Sequence, residues 1–126
     1  MDTVSSSVAQ DNLYASTYPV VKGYVTVGAS QTLSRGAVLG IKTTGGQAFL
    51  VDKAKSDGTQ NPNCILLDAV TTGSGETKVA AVALSGVFQT QMLTMTTGTS
   101  ASDVKDALRA LNIYLVTTIA DENATV

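Results

Sequence analysis

Residues 37–51, AVLGIKTTGGQAFLV, carry the clearest secondary-structure signal in the chain. Two short apolar runs, residues 37–41 and 48–51, flank the dipeptide Gly45-Gly46. Short apolar runs bounded by turn residues are typical of strands, and paired glycines tolerate the positive φ angles of a tight hairpin. The segment therefore predicts a β-hairpin, and it makes a β-rich fold the first expectation.

The residues on both sides of the hairpin continue the strand pattern. From Val21 to Val27 the odd positions are valine or glycine, while the even positions from Lys22 to Thr26 are polar or aromatic, which is the period of a strand. Residues 28–35 are expected to form a loop. We expect further strands at 64–70, 79–84 and 86–90, separated by turns rich in Gly, Asn and Asp. Because residues 79–84 are apolar on both faces, they predict a central buried strand.

One helix is predicted near the C-terminal end. An apolar stripe with spacing i, i+3, i+4, i+7 is formed by Val104, Ala107, Leu108 and Leu111. Ser102 is the expected N-cap, and Asn112 is the expected left-handed residue that ends the helix. Residues 113–116 predict a last strand. The predicted fold is therefore mainly β with one short helix, in a single domain of residues 20–126.

Residues 1–19 differ in composition from the rest of the chain. They are rich in Ser, Thr, Asp, Asn and Gln, show no strand or helix period, and end at Pro19. Two interpretations stay open, an extended arm or a flexible terminus without a role. In either case we expect the segment to contribute no residue to the core. As an arm, it would be anchored on a partner by its apolar side chains, which are Val4, Val8, Leu13, Tyr14 and Tyr18.

Composition and charge disfavour several classes of function. Charged residues make up 14% of the chain, below the usual quarter, and the net charge is −2 with scattered cations, which disfavours nucleic-acid binding. No apolar run approaches the roughly 20 residues of a membrane span. The first residues lack the basic and apolar regions of a secretory signal, and the lone Cys64 excludes an intrachain disulfide. We therefore expect synthesis in the cytoplasm.

The residue types required for most catalytic sites are missing. The chain has no histidine, which excludes Ser/His/Asp and Cys/His pairs, and a lone cysteine cannot form a thiolate zinc cluster. The glycine-rich segments lack a phosphate-binding signature. Asp68 interrupts an apolar strand and is expected to face solvent. Cys64 lies within an apolar run, Cys-Ile-Leu-Leu, and is expected to be a small buried residue. The sequence thus predicts a protein that is not an enzyme, with no catalytic, cofactor-binding or metal-binding residues.

Three motifs, in a fixed order, resemble one known family. Residues 31–40 read QTLSRGAVLG, Ile65-Leu66 follow in a later strand, and an apolar strand ends in Ser85-Gly-Val-Phe88. Taken together from Val20 to the C-terminus, they resemble the lambda-type bacteriophage head decoration proteins. The chain departs from that pattern at Cys64, where a small residue such as alanine is usual, and in an N-terminal segment with few prolines.

The resemblance implies a β-clip or β-tulip-like decoration domain with an extended N-terminal arm. It also implies a homotrimer at the three-fold sites of the capsid, with the arm paired to the major capsid protein. The protein would be located on the outer surface of the virion and would stabilise the shell against genome pressure. A small β-rich module that binds a peptide or a sugar stays open as the alternative, and such a module needs a concave pocket with convergent polar groups.

Overall fold

The structure is a computed structural model that describes Leu13 and residues 19–117. The described residues form nine strands, one 3-10 turn at Thr90–Met92 and one helix, α1 (Ala101–Arg109). In chain order the strands are β1 (Lys22–Val27), β2 (Thr32–Leu33), β3 (Val38–Ile41), β4 (Ala48–Leu50), β5 (Pro62–Leu66), β6 (Val70–Thr71), β7 (Lys78–Ala83), β8 (Gly86–Gln89) and β9 (Ile113–Val116). The predicted fold class, mainly β with a single short helix, is confirmed.

Five of the strands close into a small barrel in the order β1-β4-β3-β5-β7. Strands β3 and β4 form the predicted hairpin, with φ angles of 90° at Gly45 and 69° at Gly46. The barrel closes where β1 meets β4 through a single parallel pair, Val27 with Ala48. Elsewhere in the barrel the pairs are antiparallel, and the longest of them joins β1 to β7.

Side-chain alternation along the barrel strands produces two cores. The barrel interior is filled by one face of each strand, with Val27, Leu39, Ala48, Cys64, Leu66 and Val82 among its members. The opposite face of β3, β5 and β7 packs outside the barrel against α1, β8 and β9, through Val38, Ile65, Ala83, Phe88, Val104, Leu108 and Ile113. Because successive side chains of a strand point to opposite faces, one strand can serve both cores. Hence α1 and the parallel pair β8–β9 cover one side of the barrel.

The helix differs from its prediction at its start and on its flanks. It begins after Ser100, whose backbone N–H donates to the Asp103 carboxylate at 2.7 Å, so Ser102 is not the N-cap. Val104 and Leu108 are buried as predicted, but Ala107 and Leu111 are exposed, since the barrel contacts only a narrow stripe of this short helix. The predicted left-handed residue after the helix is confirmed, with φ of 69° at Asn112.

Two strand predictions also need correction. The expected loop at residues 28–35 contains β2, which pairs with β6, and the expected strand at 64–70 is broken into β5 and β6. Strand β7 is central, because it pairs with both β1 and β5, but it is not buried on both faces. The Val79 side chain is 68% exposed, since nothing among the described residues covers the barrel at that point.

Candidate functional site

Among its described residues, the N-terminal segment contributes Leu13 to the core. Four of the predicted arm anchors, Val4, Val8, Tyr14 and Tyr18, lie outside the described residues. Leu13 is described, is only 3% exposed, and belongs to the core cluster outside the barrel. The expectation that residues 1–19 supply no core residue is therefore wrong at Leu13.

Leu13 is held through both its side chain and its backbone. Its carbonyl oxygen accepts a hydrogen bond of 2.9 Å from the backbone N–H of Gln89, the last residue of β8. Its side chain lies beside Gly36, where a Cβ atom would be 3.5 Å from Leu13 Cδ1 and would overlap the carbonyl oxygen of Met92. The missing side chain at Gly36 thus leaves room for the chain at Met92 and for Leu13.

The chain enters the barrel at a second fixed point, the corner between β7 and β8. The Ser85 hydroxyl donates to the carbonyl of Pro19 at 3.2 Å, and the N–H of Val21 donates to the same hydroxyl oxygen at 3.0 Å. The N–H of Leu84 donates to the carbonyl of Val21 at 2.7 Å. Pro19, which ends the N-terminal segment, and Val21, which lies just before β1, are therefore attached to the corner between β7 and β8.

The outer face of β1 and β7 is an exposed, partly apolar surface, which we call the β1–β7 wall and define by Lys22, Tyr24, Thr26 and Val79. Thr26 is directly opposite Val79, and Tyr24 is 76% exposed. A depression of about 460 Å³ lies beside the wall and reaches Asp68. Large exposed apolar side chains that lie together mark surfaces for contact with another protein. The sequence placed Tyr24 on the outer face of its strand, but not next to Val79.

The reactive groups of the described chain are poorly suited to catalysis. Burial raises the pKa of the Cys64 thiol to about 12, so it stays protonated and unreactive, as a small core residue. Asp68 is exposed, as predicted. Hydrogen bonds from the Thr59 side chain and backbone lower the pKa of Asp57, which stabilises a surface turn. Within the part of the chain that the structure describes, no group of residues could hold a metal ion.

The motif at residues 31–40 builds the fold and does not form a reactive site. Leu33 and Leu39 lie in the barrel interior, and Val38 lies in the outer core. The guanidinium of Arg35 donates to the carbonyl of Leu67 at 2.6 Å, which joins the start of the hairpin to the end of β5. The motif is therefore informative about family membership because it specifies the architecture.

The fold and the site define a small β-barrel protein whose described residues present the exposed, partly apolar β1–β7 wall and the attachment points of the N-terminal segment. No described helix has the length and hydropathy required to cross a bilayer. The family model for bacteriophage lambda head decoration protein D matches residues 4–114, and the chain belongs to that family. Among curated proteins, none matches the chain significantly in sequence. The family is one of structural proteins, which gives this protein a capsid decoration role on the outer surface of the phage head.

Proposed function

We propose that the protein binds the major capsid protein as a homotrimer at the three-fold sites of the head and cements the assembled shell. The observation that carries this proposal is the family match, which runs from Val4 through β8 and α1 into β9. The match includes most of the N-terminal segment as well as the barrel. It favours a decoration protein over the peptide- or sugar-binding module that the sequence also allowed.

The N-terminal segment, residues 1–19, is proposed to be the capsid-binding arm of a decoration domain formed by residues 20–126. An extended segment can add a strand to an open sheet edge of a partner, with backbone hydrogen bonds supplying affinity and alternate side chains supplying specificity. Val4, Val8, Tyr14 and Tyr18 are the proposed anchoring side chains on the coat protein. Leu13, the fifth predicted anchor, is buried in its own domain and is not available for this contact.

The β1–β7 wall is the proposed contact surface between copies of the protein in the trimer. Aromatic side chains are enriched and charged residues are depleted at the centres of protein interfaces, and Tyr24 and Val79 fit that composition. In a ring of three, each interface joins two different surfaces, so the wall of one copy meets another face of its neighbour. Three copies around one axis then present three arms to the shell.

Trimer formation explains how weak arms can cement a shell. Fixing the backbone of an arm costs about 1–2 kcal/mol per residue, so a single arm binds weakly. Arms joined in one trimer bind at a high effective concentration once the first arm is attached. A trimer that binds only the assembled shell stabilises it by mass action against the pressure of the packed genome.

Undecorated capsids of the matching phage provide the test. Purified protein is added, the particles are imaged, and their resistance to heat is compared with that of bare capsids. We expect three copies around each three-fold axis and a higher disruption temperature. Isolated monomers, or rings of another order, would contradict the proposed assembly.

A paired variant tests the arm in the same assay. Val4→Asp combined with Val8→Asp places charge on two proposed anchors, and Val4→Ile combined with Val8→Ile is the matched control that keeps them apolar. The aspartate pair should melt like the wild type when free and should decorate capsids much more weakly. Full decoration by the aspartate pair would contradict the arm mechanism.

A further inference from the structure

We propose that Leu13 is an internal anchor that divides the N-terminal segment, so that the coat protein is reached by residues 1–12 alone. This narrows the proposed anchoring side chains from Val4, Val8, Tyr14 and Tyr18 to Val4 and Val8. This inference rests on the proposed role of the arm, since it says which part of the arm does the reaching. The juxtaposition that motivates it is Leu13 against β8 and Gly36, six residues before Pro19, where the composition of the chain changes.

The burial of Leu13 contrasts with that of apolar residues near the start of the barrel. Leu13 is 3% exposed, whereas Val21, which follows Pro19 and begins the entry to β1, is 56% exposed. Leu13 belongs to the same core cluster as Val38 and Phe88. A leucine that bound only a partner would gain nothing from this burial in its own domain. Its position instead stabilises the fold through removal of apolar surface from water.

The backbone contacts locate the two attachment points at opposite ends of one strand. The carbonyl oxygen of Leu13 accepts a hydrogen bond from Gln89, the last residue of β8. The carbonyl oxygen of Pro19 accepts one from Ser85, immediately before β8 begins. The chain is thus fixed to the domain on both sides of residues 14–18. The proposed reaching part of the arm is therefore measured from Gln89 at the end of β8. The change of composition at Pro19 alone would have measured it from Ser85, before β8 begins.

The anchor shortens the arm and fixes its origin. Twelve residues in extended conformation span on the order of 40 Å at about 3.3 Å per residue, against roughly 60 Å for all nineteen residues of the segment. An arm with a fixed origin also explores a smaller volume, which raises its effective concentration at a nearby coat subunit. Coat-protein edges within the shorter radius, measured from Gln89, are the ones that it can pair with.

Two deletions that differ by one residue test the anchor. The first removes residues 1–12, and the second removes the same residues and carries Leu13→Ala, each with an initiating methionine in front. We expect the first protein to melt like the full chain. The second should melt lower by roughly 5–15 °C, because it loses a buried leucine. Equal melting temperatures for the two deletions would overturn the anchor.

Capsid binding by the first deletion separates the anchor from the proposed function. If residues 1–12 do the reaching, this deletion binds capsids much more weakly while it keeps its melting temperature. If it decorates capsids as well as the full chain does, the arm mechanism fails, and the anchor is still judged by the melting temperatures alone. The two proposals therefore fail on different readouts.

Thiol labelling gives a second measurement, which reports the exposure of a position and not a melting temperature. The native Cys64 is buried and should react slowly, so the measured alkylation rate reports the added cysteine. Leu13→Cys places a thiol in the anchor, and Ser6→Cys places one in the proposed reaching part. We expect alkylation at position 6 to be at least about tenfold faster than at position 13, since reaction requires exposure. Similar rates at both positions would overturn the anchor.

Discussion

Alanine substitution at two glycines separates backbone strain from steric overlap. Gly36 has φ of 99° and Gly98 has φ of 98°, so alanine meets the same unfavourable backbone conformation at both positions. Their surroundings differ. A Cβ atom at Gly36 would overlap the Met92 carbonyl oxygen and contact Leu13, whereas a Cβ atom at Gly98 would have nothing within 4 Å. Gly98→Ala is therefore the matched control for Gly36→Ala.

The expected magnitudes follow from this difference. A non-glycine residue held in the left-handed region costs about 1–2 kcal/mol, and that is the whole expected loss for Gly98→Ala. Gly36→Ala adds the overlap with a backbone atom, and overpacking that forces the backbone to shift costs a further 1–3 kcal/mol or so. We therefore expect Gly36→Ala to lower the free energy of unfolding by about 3 kcal/mol or more.

Urea denaturation of the free protein measures both losses. With an m-value of about 2 kcal/mol per molar urea, the midpoint should fall by about 0.5–1 M for Gly98→Ala. For Gly36→Ala it should fall by about 1.5 M or more. Equal midpoints for the two variants would refute the reasoning, because they would show that the close approach of Gly36 to Met92 carries no cost.

Three further predictions concern the helix cap, the buried thiol and the exposed wall. A hydrogen bond from the backbone amide of the N-cap serine lowers the pKa of Asp103, so its stabilisation is present above the ordinary value of 3.8 and is lost as the pH falls through the lowered pKa. Asp103→Asn should therefore lower the urea midpoint at about pH 7 more than Asp106→Asn does, and the difference should vanish in acid. Cys64 should resist alkylation until urea unfolds the chain, and Cys64→Ser should cost roughly 1–3 kcal/mol more than Cys64→Ala, since it buries a hydroxyl in the barrel; rapid labelling of the folded protein would contradict this. Tyr24→Ser combined with Val79→Thr should change the unfolding free energy by less than about 1 kcal/mol while lowering trimer content and capsid occupancy; unchanged occupancy would remove the wall from the interface.

Local signals in the sequence predicted the parts of the fold that depend on neighbouring residues. The hairpin at Gly45-Gly46, the left-handed Asn112 and the buried Cys64 each follow from residue type and immediate context, and the structure confirms all three. The sequence predicts the wrong serine as the N-cap of the helix, because Ser100 and Ser102 both offer a hydroxyl near the first turn. The deciding contact was the reach of Asp103 back to the amide of Ser100, a pairing with the spacing of a capping box.

Features set by distant contacts could not be read from the sequence. Strands β2 and β6 are two residues each, too short for any period, and they exist because the barrel brings them together. Leu13 lies in a segment of mainly polar composition, and that composition indicates an arm. Its burial depends on the space that is left because Gly36 has no side chain. The exposure of Val79 likewise depends on where α1 docks, which no property of residues 79–84 specifies.

The pairing of β1 with β7 has a consequence for how fast the protein folds. Lys22 at the start of β1 is paired in register with Ala83 at the end of β7, so the first barrel strand finds its main partner only after most of the domain has been synthesised. Residues so far apart in the chain can pair only after the entropy cost of closing the long loop between them has been overcome, and the stabilising contacts form only then. Topologies with many such pairings fold slowly for their size. Closure of the barrel therefore sets the kinetic barrier, and until β7 arrives the valines of β1 remain exposed to water and to other nascent chains.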